Sequence, residues 1–214
     1  MCGIVGIYLK TKKFEKDLGK MLSGMLNNME SRGPDSAGFA IYKNENDKNY
    51  KYSLCINKIK FDEFKKEINK RINKPTINQF SDHVILKTID EPKKVIKIIN
   101  SEFPNVSLVG YGKSIEIFKQ VGNPKDVVKK FKLETFNGSH DIGHTRMATE
   151  SAITTDGSHP YSTGEDECLV HNGSLSNHNN LRRELIKKGN IFNSENDTEV
   201  AAGYVSNSLS NNKS

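Results

Sequence analysis

A cysteine directly behind the initiator methionine, at the head of an apolar run, constrains this chain more than any other feature. The run over residues 2–9 predicts a first β-strand, so the start of the chain lies at the end of a sheet. Removal of Met1 would leave a thiol and a free α-amine on Cys2, and the two groups titrate closely enough to exchange a proton at neutral pH. Cys2 is therefore a candidate nucleophile with its own base. The simpler alternative is a small buried hydrophobic residue that opens a strand.

Composition excludes several classes of protein. The 214 residues suit one domain that carries an insertion, and they suffice for a hydrophobic core. The three cysteines form neither an even set nor a closely spaced pair, which argues against disulfides and structural zinc and predicts a cytoplasmic location. No apolar stretch suits a signal peptide or a membrane span. The net charge of +6 comes from lysines mixed with acidic residues, so we expect no nucleic-acid partner and no membrane partner.

The first part of the chain predicts a strand, a helix, a turn and a second strand. Apolar residues from Leu18 to Met29 recur at the spacing of one buried helix face. Pro34 ends this helix because its ring disfavours the helical backbone conformation of the preceding residue and because proline lacks an N–H donor. Residues 36–42 read as a strand. The segment 32–35 is then a tight turn directed towards the strand ends, a place that often carries function.

The pattern changes between about residues 50 and 136. Short β-like runs at 52–56, 83–88 and 106–111 alternate with helix-like runs at 62–72, 91–103 and 124–131. This alternation predicts a small α/β module inserted into a parent domain that extends over residues 1–214. After the module we predict strands at 141–146 and 167–170, helices at 177–188 and 198–209, and an unfolded polar tail at 206–214.

Five short motifs, far apart in the chain, are predicted to meet in one pocket. They are Met-Cys-Gly-Ile-Val-Gly at the start, Ser-Arg-Gly-Pro-Asp-Ser-Ala-Gly from Ser31, Gly-His-Thr-Arg-Met-Ala-Thr from Gly143, His-Asn-Gly from His171 and Asn-Asp-Thr-Glu from Asn196. In this order they resemble the class II glutamine amidotransferases, which are N-terminal nucleophile glutaminases that supply ammonia to synthases. The resemblance covers roughly residues 1–43 and 140–205.

The resemblance implies a fold. It is the α+β, four-layer αββα sandwich of the N-terminal nucleophile hydrolases, here interrupted by the inserted module. In that fold, further strands follow the helix after Asp197, and the sequence ends without them. We therefore expect a chain that is truncated at its C-terminal end, with completion of the sheet by a partner as the alternative.

The resemblance also implies how an amide would be hydrolysed. Cys2 would attack the side-chain amide of L-glutamine, with its own α-amine as the base. The side chain of Asn172 and the backbone N–H of Gly173 would form the oxyanion hole. Arg146 would bind the α-carboxylate of the substrate, and Asp197 would bind its α-ammonium group.

Further residues fall on family positions around this pocket. Thr149 and His159 would line it, and Arg32 and Asp35 lie in the turn that would brace the nucleophile. Taken alone, Arg146 would be better interpreted as a surface charge at a strand end, and the alternative for Asp197 is the N-cap of the following helix.

The remaining histidines and cysteines receive simpler interpretations. His144, His171 and His178 match no common zinc spacing, and the family needs no metal, so we interpret them as structural residues around the site. Cys55 and Cys168 lie in apolar, strand-like surroundings, which favours inert thiols.

Within the class, the motifs are most similar to stand-alone glutaminase subunits of glutamate synthase-like systems, including N-methylglutamate synthase. Such a subunit carries no cofactor and passes ammonia to a separate synthase subunit that holds FMN and iron–sulfur clusters. The sequence has no Gly-rich phosphate loop and no cysteine cluster, so a partner is expected to perform the second half-reaction.

Other functions stay open at this point. One is the amidotransferase half of an amidophosphoribosyl- or hexosephosphate-type synthase. Another is an N-terminal nucleophile amidase with a different amide substrate, for which the pair of Arg146 and Asp197 would have little use. The last is a catalytically silent regulatory or scaffolding homologue, which would need neither Cys2 nor Asn172.

Overall fold

The computed structural model describes residues 2–43, 48–148 and 152–211. The expected removal of Met1 and the expected role of Thr149 lie outside these ranges. The strands are β1 (Gly3–Tyr8), β2 (Ser36–Tyr42), β3 (Tyr50–Cys55), β4 (Thr76–Phe80), β5 (His83–Thr88), β6 (Ser107–Gly112), β7 (Ile115–Val121) and β8 (His140–Arg146). The helices are α1 (Leu18–Asn28), α2 (Phe61–Ile68), α3 (Pro92–Glu102), α4 (Pro124–Phe131), α5 (His178–Lys187) and α6 (Asp197–Asn211).

The described residues form two antiparallel sheets of four strands each, with the orders β1-β8-β2-β7 and β4-β5-β3-β6. Helices α1 and α4 pack on the first sheet. The predicted stripe of α1 is buried there, with Leu18, Leu22 and Leu26 fully covered against Phe39 and its neighbours. Burial of an amphipathic face of this kind is what holds such a helix in place.

Helices α2 and α3 cover the second sheet through another apolar cluster. Tyr52 and Leu54 of β3 belong to this cluster together with Phe64 of α2 and Ile99 of α3. The elements of this unit end at Gly112, because β7 pairs with β2 and α4 packs on the first sheet. The inserted module predicted at about 50–136 therefore extends too far and includes elements of the parent sheet.

The two sheets contact each other through a small shared cluster. Ala40 of the first sheet and Cys55 of the second belong to it, together with Ile115 and Ile117 of β7. The backbone N–H of Ile117 also donates to the Ser53 hydroxyl across 2.9 Å. The described residues therefore form two antiparallel sheets in contact, each covered by helices, which confirms the predicted α+β fold class. The second sheet and its helices come from the unit that ends at Gly112.

Two strands, β4 and β7, were not predicted. β4 carries a polar pattern, and β7 contains Glu116 and Lys119, charged residues that tertiary contacts bury. Such residues obscure the alternation from which a strand is predicted.

The strand predicted at 167–170 is wrong. Leu169 makes an isolated bridge with Tyr161. Asp166, whose φ is +56°, accepts hydrogen bonds from the backbone N–H groups of Lys113, Ser114 and Ile115. A side chain therefore holds this segment to the β6–β7 turn, in place of a strand ladder.

The unfolded tail predicted at 206–214 is wrong over residues 206–211, and its last residues lie outside the described part of the chain. Helix α6 continues to Asn211. The hydroxyls of Ser206 and Ser208 donate to the carbonyls four residues earlier, at 3.0 and 2.9 Å. These local bonds satisfy the polar side chains within the helix. Within the described ranges, no helix combines the length and apolar character needed to cross a membrane.

Candidate active site

A cavity of about 910 Å³ lies where the start of β1 meets the end of β8. Loop 171–174 and the first residues of α6 also line it. Six of the residues predicted from the sequence line it, namely Cys2, Arg146, His159, Asn172, Gly173 and Asp197. Antiparallel pairing of Gly3 with Thr145 brings Cys2 beside the end of β8, although the two segments are far apart in the sequence.

Contacts to its carbonyl and its thiol position Cys2. The Cys2 carbonyl accepts hydrogen bonds from Asn172 Nδ2 at 3.1 Å and from Arg32 Nε at 3.4 Å. The thiol lies 3.8 Å from the carbonyl oxygen of Met147. Gly33 is needed in this turn because a Cβ there would lie 2.4 Å from the carbonyl carbon of Thr145. Arg32 and its turn thus pack directly against the end of β8.

Asp35 connects the same turn to the residues after β8. Its backbone N–H donates to the Arg146 carbonyl at 3.0 Å, and its carboxylate accepts the N–H of Ala148 at 2.8 Å. Its carbonyl accepts the N–H of Gly122 at 2.8 Å. The turn predicted to brace the nucleophile therefore contacts both Cys2 and the strand end that carries Arg146.

Arg146 is buried, with 4% of its surface exposed, so the alternative of a surface charge at a strand end is wrong. Its Nη1 donates to the Ala152 carbonyl at 3.2 Å, and its strand partner in β2 is Ser36. A buried guanidinium at a cavity wall presents several N–H donors in a fixed plane, and this geometry suits a carboxylate.

Asp197 begins α6 but does not cap it. The Asn196 side chain accepts the N–H of Thr198 at 2.9 Å, so Asn196 performs the capping role considered for its neighbour. One carboxylate oxygen of Asp197 accepts the N–H of Leu175 at 2.7 Å, and the other accepts the Thr198 hydroxyl at 3.2 Å. Each oxygen can accept a further hydrogen bond, which leaves capacity for a cationic ligand group.

Two stacked histidines at the cavity, of which His159 lines its wall, are neutral. The rings of His144 and His159 stack with centroids 3.9 Å apart. Burial lowers the pKa of His144 to about 4 and holds the pKa of His159 well below its usual range. Among the described residues, no group of three or more His, Cys, Asp or Glu side chains is arranged to hold a metal ion.

The other two thiols differ from Cys2 in their surroundings. Burial raises the pKa of both Cys55 and Cys168 to about 11, and the Tyr42 hydroxyl lies 3.5 Å from the Cys168 sulfur. Both thiols therefore stay protonated at neutral pH and are poor nucleophiles.

Some residues of the site were not predicted. Arg182 of α5 lines the cavity and donates to the carbonyls of Ser194 at 2.8 Å and Asn196 at 3.1 Å, which holds the loop before Asp197. Its position four residues after His178, on the same helix face, is a signal that could have identified it. Thr198 contacts several polar groups of the site, and no local pattern indicates that.

Comparisons with known proteins agree on one family. Residues 133–207 match the model of the glutamine amidotransferase domain. The chain is 47% identical over 219 residues to the glutamine amidotransferase-like protein GlxB of Rhizobium meliloti, an alignment that covers 100% of this chain and 72% of that protein. It is 44% identical over 88 residues to the glutamine–fructose-6-phosphate aminotransferase of Methanococcus maripaludis, which covers 41% of this chain and 15% of that enzyme.

A solved structure shares the fold. The glutamine phosphoribosylpyrophosphate amidotransferase of B. subtilis, complexed with ADP and GMP, superposes with a TM-score of 0.52 at 17% sequence identity. The alignment covers 95% of this chain and 28% of that chain. At this identity the likeness concerns the arrangement of sheets and helices alone.

Proposed function

Since this chain belongs to the class II glutamine amidotransferases, we propose that it hydrolyses L-glutamine to glutamate and ammonia and delivers the ammonia to a separate synthase. The observation that carries the proposal is the convergence of Cys2, Arg146, Asn172 and Asp197 on one cavity. These side chains supply a nucleophile, an oxyanion donor and groups of opposite charge for the two ends of an amino acid.

The first step is attack on the substrate amide. After removal of Met1, the α-amine of Cys2 takes the thiol proton, and the sulfur forms a bond to the carbonyl carbon of the glutamine side chain. The negative charge that develops on the amide oxygen requires N–H donors. The Asn172 amide has two N–H groups, of which one is used on the Cys2 carbonyl, so the other and the Gly173 N–H can serve the oxyanion.

The second step releases ammonia. The α-ammonium of Cys2 returns its proton to the amide nitrogen, the C–N bond breaks, and a γ-glutamyl thioester and ammonia form. Water then adds to the thioester, with the same α-amine as base. The C–S bond breaks, and glutamate and the free thiol result. Both halves of the reaction use the same oxyanion donors, so Asn172 acts twice in each turnover.

Substrate selection follows from charge. The Arg146 guanidinium binds the α-carboxylate of glutamine with two parallel N–H bonds, and the Asp197 carboxylate binds the α-ammonium group. Thr149 and His159 complete the wall in this proposal. A substrate that lacks either the α-carboxylate or the α-ammonium group would lose one of these two interactions. This requirement distinguishes a glutaminase from an amidase for uncharged amides.

The proposed acceptor of ammonia is a glutamate synthase-like partner that carries the FMN and iron–sulfur clusters, and we propose no cofactor for this chain. The support is the similarity of its motifs to stand-alone glutaminase subunits. The fructose-6-phosphate aminotransferase alignment covers 41% of this chain, whereas the alignment with GlxB covers all of it. This difference argues against the hexosephosphate-type synthase as the closer functional model.

The test is mass spectrometry of the intact chain and its N-terminal peptide, before and after reaction with a glutamine-like electrophile that alkylates thiols. We expect a chain without Met1 that gains one adduct on Cys2, and excess glutamine should block the adduct. Cys55 and Cys168 serve as internal controls, because their raised pKa values keep both thiols protonated. A folded chain that retains Met1 and gains no adduct would overturn the mechanism and favour the silent homologue.

A further inference from the structure

We propose that Thr198 is a positioning residue of the glutamine site, which holds the oxyanion loop and the Asp197 carboxylate in one hydrogen-bonded network. This inference rests on the proposed function and adds a residue to it. The oxyanion loop is defined here as residues 171–175, which include Asn172 and Gly173.

The Thr198 hydroxyl is the centre of the network. The residue is 1% exposed, and its Oγ1 lies within hydrogen-bonding distance of three polar atoms. These are His159 Nε2 at 3.0 Å, His171 Nδ1 at 3.4 Å and Asp197 Oδ1 at 3.2 Å. One buried hydroxyl therefore connects groups from three separate segments of the chain.

The proton positions in the network follow from the donor count. A hydroxyl has one hydrogen and can accept two hydrogen bonds, whereas a carboxylate accepts only. The hydroxyl hydrogen must therefore point to Asp197, and both imidazoles must donate to the oxygen. His159 carries its proton on Nε2, and His171 carries a proton on Nδ1. In agreement, the buried Nδ1 of His159 has no hydrogen-bond partner in the described part of the chain.

The oxyanion loop is tied to α6 at both of its ends. His171 donates to Thr198 at the first end, and the N–H of Leu175 donates to Asp197 at the other. The His171 carbonyl, which belongs to the peptide bond before Asn172, also accepts Nε2–H of the neutral His144 at 3.1 Å. A Cβ on Gly173 would lie 2.7 Å from His171 Nε2, so this ring packs closely on Gly173.

This connectivity has a consequence for the reaction. Asp197 would bind the substrate ammonium, and Asn172 with Gly173 would stabilise the oxyanion, so the network joins a binding group to two catalytic groups. Loss of the Thr198 hydroxyl would leave two imidazole N–H donors and one carboxylate oxygen without their partner. Both substrate binding and turnover should then suffer, because misplacement by a fraction of an ångström is costly at such sites.

The first test compares Thr198→Val with Thr198→Ser in steady-state glutamine hydrolysis. Valine keeps the shape and removes the hydroxyl, so we expect kcat/KM to fall by about tenfold or more, through both a higher KM and a lower kcat. Serine keeps the hydroxyl, so kcat and KM of Thr198→Ser should be near the wild-type values. A purely structural role for the side chain would lower thermal stability without this pattern of rescue.

The matched control is Thr163→Val. The Thr163 hydroxyl contacts the Ser206 hydroxyl at 2.6 Å and thus also joins a loop to α6, away from the residues that line the glutamine cavity. Its removal should leave kcat and KM unchanged. Equal kinetic constants for Thr198→Val and the unchanged chain would overturn the inference while the proposed function stands.

A second readout does not depend on activity. Nitrogen NMR of the imidazoles should show a proton on Nδ1 of His171 and on Nε2 of His159, and Thr198→Val should shift the His171 signals. The opposite tautomer at His159 in the unchanged chain would overturn the network. A chain that turns over no glutamine but shows these tautomers would overturn the proposed function and leave the network in place.

Discussion

Individual side chains at this site have more than one contact to satisfy. Asn172 uses one amide hydrogen on the Cys2 carbonyl, and Arg146 uses one N–H on the Ala152 carbonyl. Such contacts hold donors in place before the substrate arrives, which is how an oxyanion site stabilises charge without reorganisation during the reaction. We expect Asn172 to affect mainly kcat and Arg146 to affect mainly KM, so steady-state kinetics can distinguish their two roles.

Asn172→Ala should lower kcat about 100- to 1000-fold with a much smaller change in KM, because an oxyanion donor acts in the transition state. The measurement is steady-state ammonia release at varied glutamine concentrations. An increase in KM with an unchanged kcat would contradict the role and assign Asn172 to substrate binding.

Arg146→Lys should raise the KM for glutamine about tenfold or more, since lysine cannot make two parallel bonds to a carboxylate. Arg183 of α5 provides the control. It is exposed and donates to the Asn180 side chain on the same helix, so Arg183→Lys should leave KM unchanged. An unchanged KM for Arg146→Lys would argue for an amide substrate without an α-carboxylate.

At the scale of the elements, strand β8 joins the parts of the site. It lies between β1 and β2 and pairs with both. Arg146 therefore lies beside Cys2 on one side and beside the turn of Asp35 on the other. The same strand contains Asp141, which is buried against β1. Its Oδ1 accepts the N–H of Ile7 at 2.9 Å, and its buried Oδ2 is without a hydrogen-bond partner among the residues described.

Asp141 should make stability depend on pH. Burial raises its pKa to about 7, whereas an aspartate in the unfolded chain titrates near about 3.9. The folded state therefore binds more protons between these values, and stability falls as the pH rises through this window. Asp141→Asn removes the titrating group. The melting temperature of the variant minus that of the wild type should therefore increase from pH 5 to pH 8.

The control for this titration is Asp126→Asn on α4, where the side chain is exposed. Its effect on the melting temperature should be similar at each pH between 5 and 8, because this side chain is exposed and folding does not bury it. A difference for Asp141→Asn that stays constant with pH would mean that the carboxyl is charged in the folded chain.

At the scale of the whole molecule, a buried lysine connects the first sheet to the loop that carries His159. The ammonium of Lys119, on β7, donates to the carbonyls of Asp156 at 3.1 Å and Ser158 at 2.9 Å and lies 4.5 Å from the centre of the Tyr161 ring. Burial lowers its pKa to about 8. Gly38 permits the approach, because a Cβ there would lie 2.1 Å from the His159 carbonyl.

Lys119→Met should lower the free energy of unfolding by about 1–3 kcal/mol, because the carbonyls of Asp156 and Ser158 lose a buried donor. Urea denaturation measures this change. Lys125→Met is the control, since that side chain is 61% exposed and its surface ion pair with Glu30 should contribute little to stability. Equal denaturation midpoints for the two variants would contradict a bracing role for Lys119.

The sequence by itself determined the elements whose signal is local. The spacing of Leu18, Leu22 and Leu26 predicts a helix because one face must be buried, and the position of Cys2 before an apolar run predicts a strand that begins at the site. Through their resemblance to a known family, the motifs also named six of the residues that line the cavity, although not Arg182.

Tertiary structure alone decided the contacts between residues that are distant in the chain. His171 meets Thr198 across 27 positions, and Lys119 reaches the Ser158 carbonyl across 39. Periodicity reports which face of an element is buried, not which buried polar group lies opposite another. The buried charges of β7 and the network of Thr198 depend on such polar contacts, and for that reason their roles became visible only in the folded molecule.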